Sequence, residues 1–139
     1  MFGRRTWRVM VDAWPGRAAD PFADRMNEIP KYVVSRTLAQ DDLDWSNSTL
    51  LSAANAIGAV RELRAREGGC IQVMGSPSFG KQLVANDLVD EYCLMIEPIV
   101  LGGGKRLFPE DGRARPLELV STSASKTGVV ICNFRPIPR

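Results

Sequence analysis

The sequence predicts an α/β domain with a mostly parallel sheet and an antiparallel hairpin at its end. Three observations lead there. Strand-like and helix-like segments alternate through the middle of the chain. The strand segments are near-continuous apolar runs, as in parallel strands buried on both faces. Two further strand segments close the chain, joined by the turn sequence Ser125-Lys126-Thr127-Gly128. Right-handed crossovers put helices on both faces of such a sheet. Ligands then bind beyond the carboxyl ends of the strands.

Taken in order, Gly3 to Ala13 carries Trp7, Val9, Met10, Val11 and Trp14 near helical spacing, and Trp14-Pro15-Gly16 stops it. A second helix runs from Pro21 to Glu28, with Asp20 as N-cap and Pro21 in the first turn. Lys31 to Ser35 reads as a buried strand, β-branched and aromatic. Arg36 to Asn47 is a polar, Asp-rich loop, and Ser48 to Leu51 a short strand. Ala53 to Glu67 sets Ala56, Ile57, Val60 and Leu63 against a charged face, an amphipathic helix stopped by Gly68-Gly69. Cys70 to Met74 is a strand, Pro77 to Asn86 a helix, and Asp90 to Val100 a long strand. A Gly-rich loop, Leu101 to Phe108, precedes the hairpin strands Leu117 to Ser123 and Val129 to Phe134.

Composition bounds the function. With 139 residues, 45% apolar and 24% charged, the chain reads as one soluble globular domain. Eighteen basic against 16 acidic side chains leave a net +2, too even for a dedicated nucleic-acid binder. No apolar run is long enough for a membrane span, and no signal-type apolar region follows the first arginines. The lack of histidine removes imidazole bases and histidine metal ligands. Cys70, Cys93 and Cys132 stand far apart in apolar runs, so they read as buried thiols in a reducing, cytoplasmic compartment with no metal site.

Four segments carry residues suited to a ligand. Gly3-Arg4-Arg5-Thr6 opens a helix, where free N–H groups, two guanidinia and a hydroxyl suit a phosphate; an exposed basic chain end is the plainer reading. Ser35-Arg36-Thr37, at a strand's carboxyl end, suits a phosphomonoester such as the 2′-phosphate of NADP, or is a capped turn with a solvated arginine. Gly75-Ser76-Pro77-Ser78-Phe79 suits a pyrophosphate above a helix start, or is helix capping with Ser76 as N-cap. It is neither a Rossmann fingerprint nor a P-loop, Lys81 being misplaced for the latter. Gly102, Gly103 and Gly104, followed by Lys105 and Arg106, imply close approach to a substrate phosphate or a mobile turn.

The order of these segments resembles the dihydrofolate reductase-like superfamily. It runs Gly3-Arg4-Arg5-Thr6, then Lys31 to Leu38, Ile71 to Ser76, Leu88 to Tyr92 and Pro98 to Phe108. The nearest branch is the bacterial group related to the riboflavin-biosynthesis reductase domain, and the resemblance spans Gly3 to Phe134. It implies a three-layer α/β/α fold and NADPH as hydride donor. Gly3, Arg4, Arg5 and Thr6 match the first cofactor-binding helix start. Ser35, Arg36 and Thr37 match the segment near the adenosine ribose and its 2′-phosphate. Gly75, Ser76, Pro77, Ser78 and Phe79 match the diphosphate-binding turn. Gly102, Gly103 and Lys105 are then substrate-facing, and a second copy of the chain is a candidate partner.

In the family pattern a strand, a flexible loop and a helix precede the Gly-Arg-x-Thr segment, which here opens at residue 3, so residues 1–139 read as one N-terminally short domain. The strand of that pattern lies between the Cys70 and Asp90 strands. Those two are therefore expected to pair with each other or to leave backbone groups unpaired. The same stretch carries the acid of the folate-reducing branch, so folate reduction is not implied and no catalytic acid is assigned. The leading reading is an NADPH-dependent reductase of a small heterocycle, of the kind that reduces a riboflavin-pathway pyrimidine. The alternatives are a nucleotide-binding domain without turnover and a structural domain derived from such a reductase.

Overall fold

The computed structural model describes residues 1–17 and 19–138. Its elements are β1 (Phe2–Gly3), α1 (Arg4–Ala13), α2 (Pro21–Glu28), β2 (Lys31–Ser35), β3 (Ser48–Ser52), α3 (Ala56–Arg64), α4 (Pro77–Ala85), β4 (Tyr92–Ile96), β5 (Leu117–Ala124) and β6 (Val130–Pro136). A short 3₁₀ turn, Gln40–Asp42, sits in the loop after β2.

The first sheet is parallel in the order β1-β2-β3. Its side chains alternate between two cores, as the pleat requires. Phe2 and Val33 join Trp7, Met26 and Trp45 beneath α1 and α2. Met1, with Tyr32, Val34 and Leu51 packed beside it, joins Ala56, Val60, Phe79 and Leu83 from α3 and α4. Helices thus cover both faces, giving three layers.

Lys31 stands at the start of β2 and is 1% exposed. Its ammonium donates to the carbonyls of Asn27 (3.0 Å), Ile29 (2.9 Å) and Ser46 (2.9 Å). It also lies 4.6 Å from the centre of the Trp45 ring. A buried charge needs partners of this kind. Here they tie the end of α2 to the loop before β3, while Trp45 Nε1 donates to Asn27 Oδ1 at 2.7 Å.

Cys70 to Met74 does not form the expected strand. The segment runs beside β1, where the Met1 ammonium donates to Gln72 O at 2.6 Å and Met74 N donates to Met1 O at 3.2 Å. β1 is two residues long, which leaves no further ladder for it to extend. The second sheet is separate and antiparallel, in the order β4-β6-β5. The pairing expected between the Cys70 and Asp90 segments is absent: no ladder joins residues 70–74 to β4, and the first segment bonds to Met1 instead.

The long strand expected from Asp90 to Val100 is cut to Tyr92–Ile96. Pro98 lacks an N–H for a ladder, and beyond it Ile99 and Val100 are 64% and 97% exposed. The helix expected from Ala53 to Glu67 begins later because Ala53 N still donates to Ser35 O of β2, at 3.0 Å. It ends at Arg64, where the apolar face runs out. The three cysteines are not buried: Cys70 and Cys93 are exposed and Cys132 is half-buried. Cys70 opens the segment beside Met1, and Cys93 lies on an edge strand of the second sheet. No helix among the described residues is long and apolar enough to cross a membrane.

Candidate cofactor site

The first three junctions picked out by the sequence meet at the carboxyl end of the parallel sheet. β1 runs straight into α1, β3 leads to α3 through a three-residue turn, and the Cys70–Met74 segment leads to α4. Gly3 N donates to Ser76 Oγ at 2.5 Å, and Ser76 Oγ donates to Thr6 Oγ1 at 3.0 Å. Arg4 Nη1 donates to Thr37 Oγ1 at 2.7 Å. One network therefore joins the Gly3–Thr6 start, the Ser35–Thr37 turn and the Gly75–Ser76 turn.

The glycines suit this closeness. A Cβ at Gly3 would stand 3.0 Å from Ser76 Oγ, and one at Gly75 would stand 3.3 Å from Thr6. Gly75 also has φ +57°, a conformation that costs other residues about 1 kcal/mol. Ser76 adopts φ +58° as well, and it is buried. This changes its expected role. A capping serine sits in the extended region and accepts from the helix's first N–H groups. In its left-handed conformation Ser76 makes no such bond, and its hydroxyl serves Gly3 and Thr6 instead.

The helix starts differ according to where they point. α2 begins beside the end of α1, where Phe22 packs on Trp14; Asp20 Oδ1 accepts from Phe22 N and Ala23 N, and Asp24 adds a carboxylate in the first turn. α1, α3 and α4 begin at the carboxyl edge, with no side-chain cap and no carboxylate in the first turn. Their positive dipole ends are left for a ligand or water. Arg4, Arg5 and Arg36 stand nearby, and the ion pairs among the described residues all fall elsewhere. Uncapped starts, unpaired guanidinia and close-approach glycines fit the phosphates of a dinucleotide.

Not every expected residue is free for a ligand. Phe79 is 4% exposed and packs with Met1, Ala56, Val60 and Leu83, so it is a core residue. It joins the Gly75–Ser76 turn only through its main chain, where Phe79 N donates to Ser76 O at 2.9 Å. Ser35 is buried and its hydroxyl accepts from Thr37 N and Leu38 N, both at 3.1 Å, so it shapes the turn. Arg36 and Ser78 are exposed at the site's rim, and Pro77 is half-buried.

The Gly-rich loop meets the same helix. A groove at the start of α4 is lined by Pro77, Ser78, Lys81, Gly104, Lys105 and Arg106, with Glu110 at its end. Leu107 against Gly80 and the edge-on contact of Phe108 with Tyr92, 5.7 Å between ring centres, anchor the loop there. Burial pushes the Tyr92 phenol up. Beyond, Arg115 grips Asp111 at 2.6 and 2.9 Å and holds its carboxyl far below the usual range. Gly102 and Gly103 do not line the groove; both are exposed, with open space around them. Lys81, set aside in the sequence because P-loop spacing fails, does line it. Its place one helical turn after Pro77 and Ser78 is the signal for that.

A curated relative, the uncharacterised protein YyaP of Bacillus subtilis strain 168, is 36% identical over 135 residues, which is 94% of this chain and 69% of that protein. Among solved structures, a protein assigned to riboflavin biosynthesis from Shewanella sp. PV-4 aligns with TM-score 0.75 and 18% identity. That alignment covers 99% of this chain and 72% of the other. A pyrimidine reductase-like protein from Corynebacterium diphtheriae aligns with TM-score 0.67 and 17% identity, covering 99% and 75%. These two share this chain's fold, which is dihydrofolate reductase-like. The RibD C-terminal domain family matches residues 1–131, and this chain belongs to that family, a riboflavin-pathway reductase family.

Proposed function

We propose that the chain is an NADPH-dependent reductase of a small heterocyclic substrate, of the type that reduces 5-amino-6-(5-phosphoribosylamino)uracil. The observation that carries this reading is the contrast among helix starts. Among the α-helices of the described residues, α2, which starts beside the end of α1, is capped and acidic; α1, α3 and α4 present bare N-termini beside Arg4, Arg5 and Arg36.

In this reading the main chain at Gly75, Ser76 and Ser78 and the Thr6 hydroxyl hold the diphosphate. Arg36, with Thr37 and Arg4 beside it, holds the 2′-phosphate. The nicotinamide supplies the hydride when bound; the chain supplies binding and orientation. Lys105, with Lys81 and Arg106, faces the substrate's phosphate across the groove at α4. Gly102 and Gly103 give that loop its turn rather than a contact. The same reading sets the protein in the cytoplasm, where the exposed thiols of Cys70 and Cys93 stay reduced. It also takes a second copy as partner, supported by the uncovered apolar face of the antiparallel sheet.

Titration of the chain with NADPH and NADH, followed by nicotinamide fluorescence, tests it. Saturable binding with NADPH preferred is expected. Arg36→Ala removes a charge-assisted phosphate contact worth about 1.5–3 kcal/mol, so NADPH weakens by about ten- to a hundredfold and NADH hardly at all. Equal losses for both would take the 2′-phosphate away from Arg36. A second reading, nucleotide binding without turnover, draws on one feature of the site: the junction residues offer cations, hydroxyls and amides, and no carboxyl group to protonate a substrate. Oxidation of NADPH on addition of the pyrimidine separates the two.

A further inference from the structure

We propose that Ser76 is a positioning residue that aims the Thr6 hydroxyl at a phosphate oxygen. The proposal rests on the cofactor reading above and adds a directed chain of hydrogen bonds to it. Ser76 Oγ accepts from Gly3 N at 2.5 Å. A serine hydroxyl has a single proton to give. Two acceptors lie in its reach, Thr6 Oγ1 at 3.0 Å and Met74 O at 3.5 Å, and the shorter bond goes to Thr6. Thr6 Oγ1 is then an acceptor on its inner side, so its own proton turns outward. Among the described residues no acceptor is bonded to that proton.

The Ser76 backbone makes this possible. At φ +58° and ψ +60° the side chain is carried away from the helix start it precedes and toward β1. A non-glycine residue held in this region costs of order 1–3 kcal/mol, and such strain persists where surrounding contacts fix it. Here the fixing contact is the Gly3 amide. The result is a donor at the mouth of two uncapped helices, α1 and α4, polarised by the amide behind it. The groups needed are one amide, one buried hydroxyl and one half-buried hydroxyl, all in place before any ligand arrives. An anionic oxygen is the acceptor such an array selects.

Calorimetric titration with NADPH, and separately with inorganic pyrophosphate, tests the chain of bonds. Ser76→Gly is the first variant, because glycine takes the left-handed conformation without strain and keeps the turn. Thr6→Val removes the outer hydroxyl at nearly constant shape, and Thr6→Ser keeps it. Each of the first two is expected to weaken both ligands by about tenfold. The double variant should be no weaker than either alone, because the two hydroxyls act as one donor. Thr6→Ser should stay within about twofold of the parent. Parental affinity in Ser76→Gly overturns the proposal, as do losses that multiply in the double variant. If NADPH fails to bind while pyrophosphate binds and depends on both hydroxyls, the cofactor reading fails and the hydroxyl chain stands. If NADPH binds without regard to Ser76, the reverse holds.

Discussion

β2 and β5 are both strands of ordinary length in three-stranded sheets, yet they live in different surroundings. Along β2 every second residue is buried, Lys31, Val33 and Ser35, and the residues between them are half-buried. Along β5 no residue is buried, and Leu119 is 52% exposed. The parallel sheet has helices on both faces and carries the candidate site at its carboxyl edge. On the antiparallel sheet, pairing aligns Leu94 with Cys132 and Ile96 with Val130, an apolar row on one face. Yet Ile96 is 55% exposed. Main-chain pairing holds that sheet together, while side-chain burial holds the other. Stability is therefore concentrated around β1, β2 and β3, where the site must be rigid.

The largest effect expected from this contrast comes from placing one carboxylate in each sheet. Val33 is fully buried, so Val33→Asp strands a charge between Phe2, Trp7 and Trp45. It should cost about 4 kcal/mol or more and leave little folded protein. Ile96→Asp, on a half-exposed edge strand, should cost about 1 kcal/mol. Urea denaturation of both variants measures the gap, and similar losses would mean that the antiparallel sheet is buried after all.

Lys31 sharpens the contrast within the buried sheet. Lys31→Met keeps the chain length but removes the donor shared by three carbonyls. Unsatisfied buried acceptors cost about 1–3 kcal/mol each at most, partly recovered by water, so a loss of roughly 2–4 kcal/mol is expected. Thermal unfolding is the check; an unchanged Tm would show that the ammonium is not what ties α2 to the β3 loop.

The three-layer order, the hairpin and the turns at the three junctions are legible in the sequence because they rest on local signals: apolar runs, turn residues and glycine. What was not legible depends on neighbours. Cys70–Met74 has the composition of a strand but only two residues of β1 beside it. Cys93 and Cys132 lie in apolar runs, and nothing in a run says whether a helix will cover it. Ser76 looked like a cap because serine before proline usually is one; its left-handed backbone is set by Gly3 across the chain. Motif position alone puts Phe79 in the turn, and its burial among α3 and α4 side chains is a tertiary fact.

A pH experiment probes the first strand directly. The Met1 ammonium is buried, and desolvation lowers its pKa from 8.0 to about 6. The unfolded chain then binds more protons than the folded one between these values. Stability should rise as pH goes from 6 to 8, and be lost as pH falls, by up to about 2–3 kcal/mol. The chain has no histidine, so no imidazole titrates in the same window. Denaturation midpoints that stay flat from pH 6 to 8 would mean that the amine is solvated and that β1 frays.

The smallest expected effect concerns the antiparallel face alone. Ile96→Lys puts a charge on a strand edge that carries no charged residue from Tyr92 to Ile96. In a single chain the ammonium reaches water, so stability should change by no more than about 1 kcal/mol. Edge strands without charge, proline or bulge invite pairing with another chain. If a second copy covers this face, sedimentation of the parent should show a concentration-dependent dimer that Ile96→Lys dissociates. A parent that sediments as a monomer at every concentration would leave the face to solvent. The same variant should bind NADPH as the parent does, because the junctions proposed to hold it belong to the parallel sheet and its helices. Loss of NADPH binding together with the dimer would instead couple the two sheets, and the contrast between them would be one of packing but not of function.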